Sequence, residues 1–217
     1  GADAARFTID AATGALSFVT GPNWEAPTDV GANNVYDVIV SVSDGTTSDT
    51  QALAVTINNI VDGAVINGTA SGNTLNGTTA EDTINGLGGN DVINAGAGND
   101  MINGGTGNDR MTGGAGADTY IGGTGADQFI LTLASESSLG AMDVITDFVA
   151  SQTDRINLNA IDANVNLANN QNFTFIGTNA FSNVAGQLRY AQSGGNTFVY
   201  GDTNGDGAAD FGIQVNG

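Results

Sequence analysis

A nine-residue pattern runs without slippage from Gly77 to Ile130 and puts one aspartate at the same point of every copy. The six copies read GTTAEDTIN, GLGGNDVIN, AGAGNDMIN, GGTGNDRMT, GGAGADTYI and GGTGADQFI. Their sixth positions are Asp82, Asp91, Asp100, Asp109, Asp118 and Asp127, and their eighth are Ile84, Ile93, Ile102, Met111, Tyr120 and Phe129. A weaker copy, GTASGNTLN from Gly68, keeps the frame with Asn73 and Leu75. Glycine for turning, one carboxylate and one apolar residue per nine call for a coiled β-chain in which each copy makes the same turn.

The phrase around the apolar residue, such as Val92-Ile93-Asn94, is long enough for a short strand with one side chain facing inward. The other six residues must reverse the chain, which glycine permits because it adopts positive φ without strain. Two copies then complete one winding, so residues eighteen apart stack. Asp82 falls on Asp100 and Asp118, and Asp91 on Asp109 and Asp127. Adjacent strands lie about 4.8 Å apart. Carboxylates at that spacing repel unless a cation sits between them. Calcium takes six to eight oxygen ligands, carbonyls included, whereas magnesium insists on tighter octahedral geometry. Zinc prefers nitrogen and sulfur, and the chain has neither His nor Cys. Two readings without metal compete: a solvated Gly/Asn linker, and a solenoid held by Asn ladders through Asn85, Asn94 and Asn103. The strict apolar register argues against the first and the aspartate column against the second.

These copies resemble the nonapeptide repeats of the RTX family of secreted bacterial proteins. The resemblance implies a parallel β-roll in which turns two repeats apart share each of several calcium ions. It also implies carboxylate ligands at Asp82, Asp91, Asp100, Asp109, Asp118 and Asp127. Turn carbonyls would come from Gly89, from Gly96 and Gly98, and from Gly104, Gly105 and Gly107. The later copies would add Gly113, Gly114 and Gly116, then Gly122, Gly123 and Gly125. The first copies depart from the pattern: Thr78 and Ala80 stand where glycines belong, and Asn73 replaces the aspartate.

Composition narrows the partners. The formal net charge of the 217 residues is −19 with four Lys and Arg, which disfavours nucleic acid and anionic membranes and favours cations. Without cysteine there is no disulfide framework, so an extracellular fold needs another staple, and metal ions supply one. No apolar run approaches a membrane span, and no signal peptide opens the chain. The start at Gly1, directly in a strand-like phrase, reads as a piece of something longer.

Three segments are expected: 1–62, 63–133 and 134–217. In the first, strands are expected at 6–9, 15–19, 35–43 and 50–57, with Val38, Val40 and Val42 on one face. Its phrases FTIDAATGALSF, WEAP, GANNVYDVIVSVSDG and VTINNIVD resemble the later strands of a bacterial cadherin-like repeat, a partial β-sandwich. That resemblance implies calcium at domain junctions, with Glu25, Asp44 and Asp62 at matching positions. Trp24 reads as a packing residue. In the last segment, strands are expected at 144–148, 155–158, 173–175, 187–191, 196–201 and 209–215, and one helical turn at 181–185. This stretch resembles the C-terminal region behind the roll of serralysin-type proteins, a β-rich cap over the open end. The loop from Asp202 through Asn204, Asp206 and Gly207 to Asp210 begins like an EF-hand loop. Position twelve is Ile213 rather than a bidentate Glu, so a hairpin turn is the better reading. Asp143, Asp147 and Asp154 read as turn and edge charges.

The expected fold is all-β, a parallel β-roll flanked by the partial sandwich and the cap. The expected function is a calcium-induced folding module of a secreted bacterial surface protein, adhesin or matrix protein, exported by a type I system. It would be cell-surface attached or free outside the cell, with a structural role and no catalysis. The alternative is the non-catalytic tail of a secreted protease, lipase or polysaccharide-modifying enzyme. Homotypic assembly through sheet edges or bridging calcium is compatible with either. Calcium at tenfold excess over its dissociation constant adds about 1.4 kcal/mol per site. Four linked sites therefore add about 5–6 kcal/mol, comparable with the whole stability of a small domain.

Overall fold

The computed structural model describes residues 1–10, 12–21, 28–30, 35–43, 45–56 and 63–217. Two compact units divide the chain, Gly1–Ile60 and Val61–Gly217.

The first unit holds two antiparallel ribbons. Strand β1 (Phe7–Ile9) pairs with β2 (Leu16–Phe18), and β3 (Val35–Ser43) pairs with β4 (Ser48–Thr56). Their meeting point is aromatic. The rings of Phe7 and Phe18 stand 4.4 Å apart, and Tyr36 meets Phe18 edge-on at 5.1 Å, the offset arrangement that ring quadrupoles favour. The alternation along β3 begins as expected, with Tyr36 and Val38 buried and Val40 half-buried, but Val42 lies open to solvent. Buried Asp3 has its charge met by the N–H groups of Val30 at 2.6 Å and Asp37 at 2.8 Å.

The second unit is a parallel roll of two facing sheets. One face is built from β5 (Val65–Thr69), β7 (Thr83–Leu87), β9 (Met101–Thr106), β11 (Thr119–Thr124) and β13 (Asp143–Ile145). The other is built from β6 (Thr74–Asn76), β8 (Val92–Ala97), β10 (Arg110–Ala115), β12 (Gln128–Ile130) and β14 (Arg155–Asn157). The chain crosses from one face to the other at each turn, so successive strands belong to opposite sheets. Register partners within a sheet are eighteen residues apart, as in Met111 on Ile93 and Tyr120 on Ile102. The eighth position of each copy points inward. Ile84, Ile93, Ile102, Met111, Tyr120 and Phe129 are all at most 1% exposed and stack into one apolar column with Leu75 and Ile145. Each such residue contributes roughly 1.5–3 kcal/mol by leaving water. Between the inner faces Tyr120 and Phe129 pack edge-on at 5.7 Å.

The roll does not end with the repeats. Strand β13 adds to β11 with an offset of twenty-five residues, Thr119 on Val144, and β14 adds to β12 with an offset of twenty-seven, Gln128 on Arg155. The first face then grows further by β15 (Thr174–Phe175), β16 (Gln187–Ser193), β17 (Asn196–Asp202) and β18 (Phe211–Asn216). Strand β18 runs parallel to β13, and β17 and β16 follow antiparallel. Buried Phe211 and Ile213 continue the apolar column, so the exposed rung at the roll's end is covered. The 181–185 segment is not helical. Single 3-10 turns fall instead at Ala134–Ser137 and Ala150–Gln152, where the extra residues between windings are taken up. No helix among the described residues is long and apolar enough to cross a membrane.

The turns account for the glycines. Gly114 has φ of +96°, and a Cβ there would strike the Gly96 carbonyl oxygen of the winding below. In the second copy Leu87 occupies this place and is held at φ +72°, a conformation that costs a side-chain-bearing residue about 1–2 kcal/mol. Gly114→Ala is expected to destabilise the roll by roughly 2 kcal/mol or more through clash and strain together. Gly140→Ala, with open space around the new methyl group, is expected to shift stability by less than about 0.5 kcal/mol. Chemical denaturation at saturating calcium reads the difference, and equal midpoints for the two variants would refute the stacking of turns on carbonyls.

Candidate metal centre

The aspartate at position six of each copy sits where the turn enters the next strand, and it is buried. Asp82, Asp91, Asp100, Asp109, Asp118 and Asp127 are each no more than 2% exposed. The main chain fixes them in two ladders. Each aspartate N–H donates to Oδ1 of the aspartate one winding on: Asp82 to Asp100 at 2.7 Å, Asp91 to Asp109 at 2.8 Å, Asp100 to Asp118 and Asp109 to Asp127 at 2.9 Å. In return each aspartate carbonyl accepts from the residue just after the next rung, as in Met101 N–H to Asp82 and Arg110 N–H to Asp91.

The ladders run past the repeats. Asp118 N–H donates to Asp143 Oδ1, and Asp127 N–H to Asp154 Oδ1, both at 3.0 Å. Val144 and Arg155 complete the same main-chain pairing with Asp118 and Asp127. Asp143 and Asp154 are therefore rungs rather than edge charges. The signal was present in the sequence: Asp143-Val144-Ile145 and Asp154-Arg155-Ile156 reproduce Asp91-Val92-Ile93 and Asp109-Arg110-Met111.

The second carboxylate oxygen separates the rungs. Oδ2 of Asp91, Asp100, Asp109, Asp118, Asp127 and Asp143 is buried with no hydrogen-bond partner. Asp82 differs because the Thr78 N–H reaches its Oδ2 and the Thr78 hydroxyl its Oδ1 at 3.1 Å, so both oxygens are engaged. Asp154 differs because Val149 N–H meets its Oδ2 at 2.8 Å. Above the Gly122–Gly125 turn, Asp147 accepts from Gly122 and Gly123, and Gln152 Oε1 from Gly125, so side chains plug this end.

An unpartnered ionised oxygen in the interior is expensive. The orphaned oxygens aim at the turns: a Cβ on Gly86, Gly104 or Gly113 would collide with Oδ2 of Asp91, Asp109 or Asp118. The turn carbonyls lie on the same stacks, with Gly96, Gly98, Gly105 and Gly107 presenting theirs to the glycines of the next winding. Gly89 and Gly104, Gly105, Gly107, Gly113, Gly114, Gly116, Gly122, Gly123 and Gly125 thus line the two turn columns with Gly96 and Gly98. Among the described residues no three acidic side chains converge on one point. A cation here would take a minority of its ligands from carboxylates and the rest from carbonyls. An all-oxygen donor set of that kind suits calcium and neither zinc nor a transition metal.

Electrostatics track burial. Burial pushes the Asp118 carboxyl up to about 7 against the opposing Asp100 N–H, with the charges of Asp100 and Glu136 adding to it. Burial likewise raises Asp127 to about 6 and Asp143 to about 8, and it raises Asp100 and Asp109. At Asp82 burial also works upward, but the Ala64 and Thr78 N–H groups outweigh it and hold the carboxyl below its usual value.

The other acidic candidates fall elsewhere. Asp202 and Asp210 are saturated by the loop itself: Asp202 accepts from Gly205 and Gly207, and Asp210 from Thr203 and Asn204. That loop joins antiparallel β17 and β18, so it is the hairpin turn. Glu25, Asp44, Asp62 and Trp24 lie outside the described residues.

A family model for the RTX calcium-binding nonapeptide repeat (4 copies) matches residues 67–102 and 95–129. The repeats are an RTX calcium-binding module. Two solved structures from Azotobacter vinelandii are similar to the chain, both subunits of a mannuronan C5-epimerase. AlgE6R3 is 24% identical over 68% of this chain and 72% of that one, with a TM-score of 0.26. AlgE6R2 is 24% identical over 70% and 83%, with a TM-score of 0.30. No curated protein matches.

The raised carboxyls give the RTX segment a pH dependence of definite sign. With calcium chelated, folded-state values of about 6, 7 and 8 stand above the unfolded value of 3.8. Protonation therefore favours the fold: that stability is complete below about pH 4 and is lost as pH rises through 6 to 8. With calcium in excess the trend reverses, because the ion requires ionised carboxylates. The β-structure content read by circular dichroism at pH 5 and 8, with and without EGTA, measures both arms; a chelated chain more folded at pH 8 than at pH 5 contradicts the assignment.

Proposed function

We propose that this chain is a calcium-induced folding module of a secreted bacterial surface, adhesin or matrix protein, with a structural role. The observation that carries the reading is the set of buried aspartate Oδ2 atoms left without partners along the turn columns. The carboxylate ligands in this reading are Asp91, Asp100, Asp109, Asp118 and Asp127, with Asp82 at the edge of the series and the turn glycine carbonyls completing each shell. At sub-micromolar calcium the buried Oδ2 atoms and the repulsion between rungs go uncompensated, and a Gly-rich chain of net charge −19 stays open. Extracellular calcium modules bind at roughly 10⁻⁴–10⁻³ M. The same chain therefore stays unfolded inside a cell and folds outside it, which suits export as an unfolded polymer through a type I system. The absence of cysteine agrees, since the ions take the place of disulfides.

Catalysis by this chain is not part of the reading. Without His or Cys it has no imidazole base and no thiol nucleophile, and its buried carboxylates are committed to the ladders. Far-UV circular dichroism during a calcium titration is the test, with cooperative gain of β-structure expected and excess EGTA reversing it. Asp109→Asn is expected to raise the calcium midpoint roughly tenfold, about 1.4 kcal/mol. Asp82→Asn is expected to raise it less, because both Asp82 oxygens are already engaged by the chain. A spectrum indifferent to EGTA sinks the proposal.

A further inference from the structure

We propose that Asn67, Asn76, Asn85 and Asn103 are self-modifying sites, whose side-chain amides the unfolded chain sheds as ammonia and the calcium-closed roll keeps. The inference rests on the calcium reading above and adds a chemical consequence to it.

The fold itself creates these sites. Each of the four asparagines is followed by glycine: Asn67-Gly68, Asn76-Gly77, Asn85-Gly86 and Asn103-Gly104. The glycine is fixed by its surroundings. A Cβ on Gly77, Gly86 or Gly104 would strike Oδ2 of Asp82, Asp91 or Asp109, and one on Gly68 would strike Asn73 Oδ1. The asparagines link windings from the outside: Asn85 Nδ2 donates to Asn67 Oδ1 at 2.9 Å, and Asn94 Nδ2 to Asn76 Oδ1 at 3.3 Å. Asparagine ladder and aspartate turn together place the dipeptide that hinders ring closure least, since glycine carries no side chain. Later copies have Thr112-Gly113 and Ile121-Gly122 at this junction, so the sites gather in the first half of the roll.

The chemistry needs only water. The glycine nitrogen gives up its proton and attacks Cγ of the preceding asparagine. A C–N bond forms, the Cγ–Nδ2 bond breaks, and ammonia leaves. Water then opens the five-membered imide at either carbonyl, giving aspartate or isoaspartate. Closure requires the asparagine to leave the extended conformation so that the nitrogen faces Cγ. In the roll, Asn67, Asn85 and Asn103 lie inside β5, β7 and β9. Asn76 ends β6, and the Gly77 N–H after it is held by the Asn94 carbonyl at 2.8 Å. Asn67 and Asn76 are exposed and Asn85 and Asn103 half-buried, so strand pairing, not exclusion of water, is the barrier. Modification of the closed roll must await local opening. Isoaspartate adds a methylene to the main chain at a rung, which disturbs a register set by alternation. Aspartate at both Asn67 and Asn85, register partners, sets like charges opposite each other. Either product opposes winding, so a chain kept unfolded loses its response to calcium.

The full chain held at pH 8 in calcium or in EGTA, with site-resolved mass spectrometry and circular dichroism on the same samples, is the test. Each of the four sites is expected to gain one mass unit at least tenfold faster in EGTA. Asn94, in the same ladder but followed by Ala95, is expected to stay at least tenfold slower than Asn85 in EGTA. Wild type aged in EGTA is expected to regain only a minor part of its β-structure when calcium is added. A chain carrying Asn67→Thr, Asn76→Thr, Asn85→Thr and Asn103→Thr, the residue found at this place in the fourth copy, is expected to regain all of it after the same ageing. The wild-type rates need no variant. Equal rates in calcium and EGTA, in a chain whose spectrum calcium does change, overturn this inference alone. Full recovery by aged wild type does the same. A spectrum that ignores calcium overturns the module reading and this one with it.

Discussion

Asp100, Asp109, Asp118, Asp127 and Asp143 each divide their carboxylate between two tasks. Oδ1 accepts the N–H of the aspartate one winding earlier, which locks the windings in register and buries the group. Oδ2 is then left in the interior with nothing in the chain to meet it. The first task makes the fold, and the second makes the fold conditional. Burial raises these carboxyls so far that the metal-free roll resists ionising them near neutral pH. An oxygen-seeking divalent ion would remove that conflict, because strand pairing and charge burial are one contact here.

The apolar column is the partner of this arrangement, not a substitute for it. One inward residue per nine gives a core a single side chain deep on each face, from Leu75 through Phe129 to Ile213. Such a core is too thin to set a winding's orientation alone, and it leaves the turns outside. The glycines let carbonyls of adjacent windings approach closely, so the outer columns are polar, crowded and dependent on a neutralising charge.

Repetition creates a problem at its ends, since the first and last rungs lack a neighbour. The chain solves it with local hydrogen bonds at two places: Thr78 saturates Asp82 at the start, and Val149, Asp147 and Gln152 close the Asp154 side. At Asp143 it extends the same sheet over the exposed rung with β18 instead, and there the carboxylate keeps its unmatched oxygen. The ends of the ladders, more than their middles, determine how the roll is joined to the C-terminal strands.

The sequence by itself determined the winding. A period of nine with one inward residue points to two copies per turn, a stacking interval of eighteen and an aspartate column, because each copy supplies one short strand and one glycine turn, half a winding. It also determined the hairpin at Asp202, where the missing Glu rules out an EF-hand shell. Only the tertiary structure decided which aspartates are short of a partner. The offsets of twenty-five and twenty-seven that bring Asp143 and Asp154 onto the ladders break the period, since a longer loop adds little closure entropy and strand pairing tolerates it. Whether a carboxylate is left open depends on single N–H groups such as those of Thr78 and Val149, whose positions are set by the path of a turn and leave no trace in the spacing.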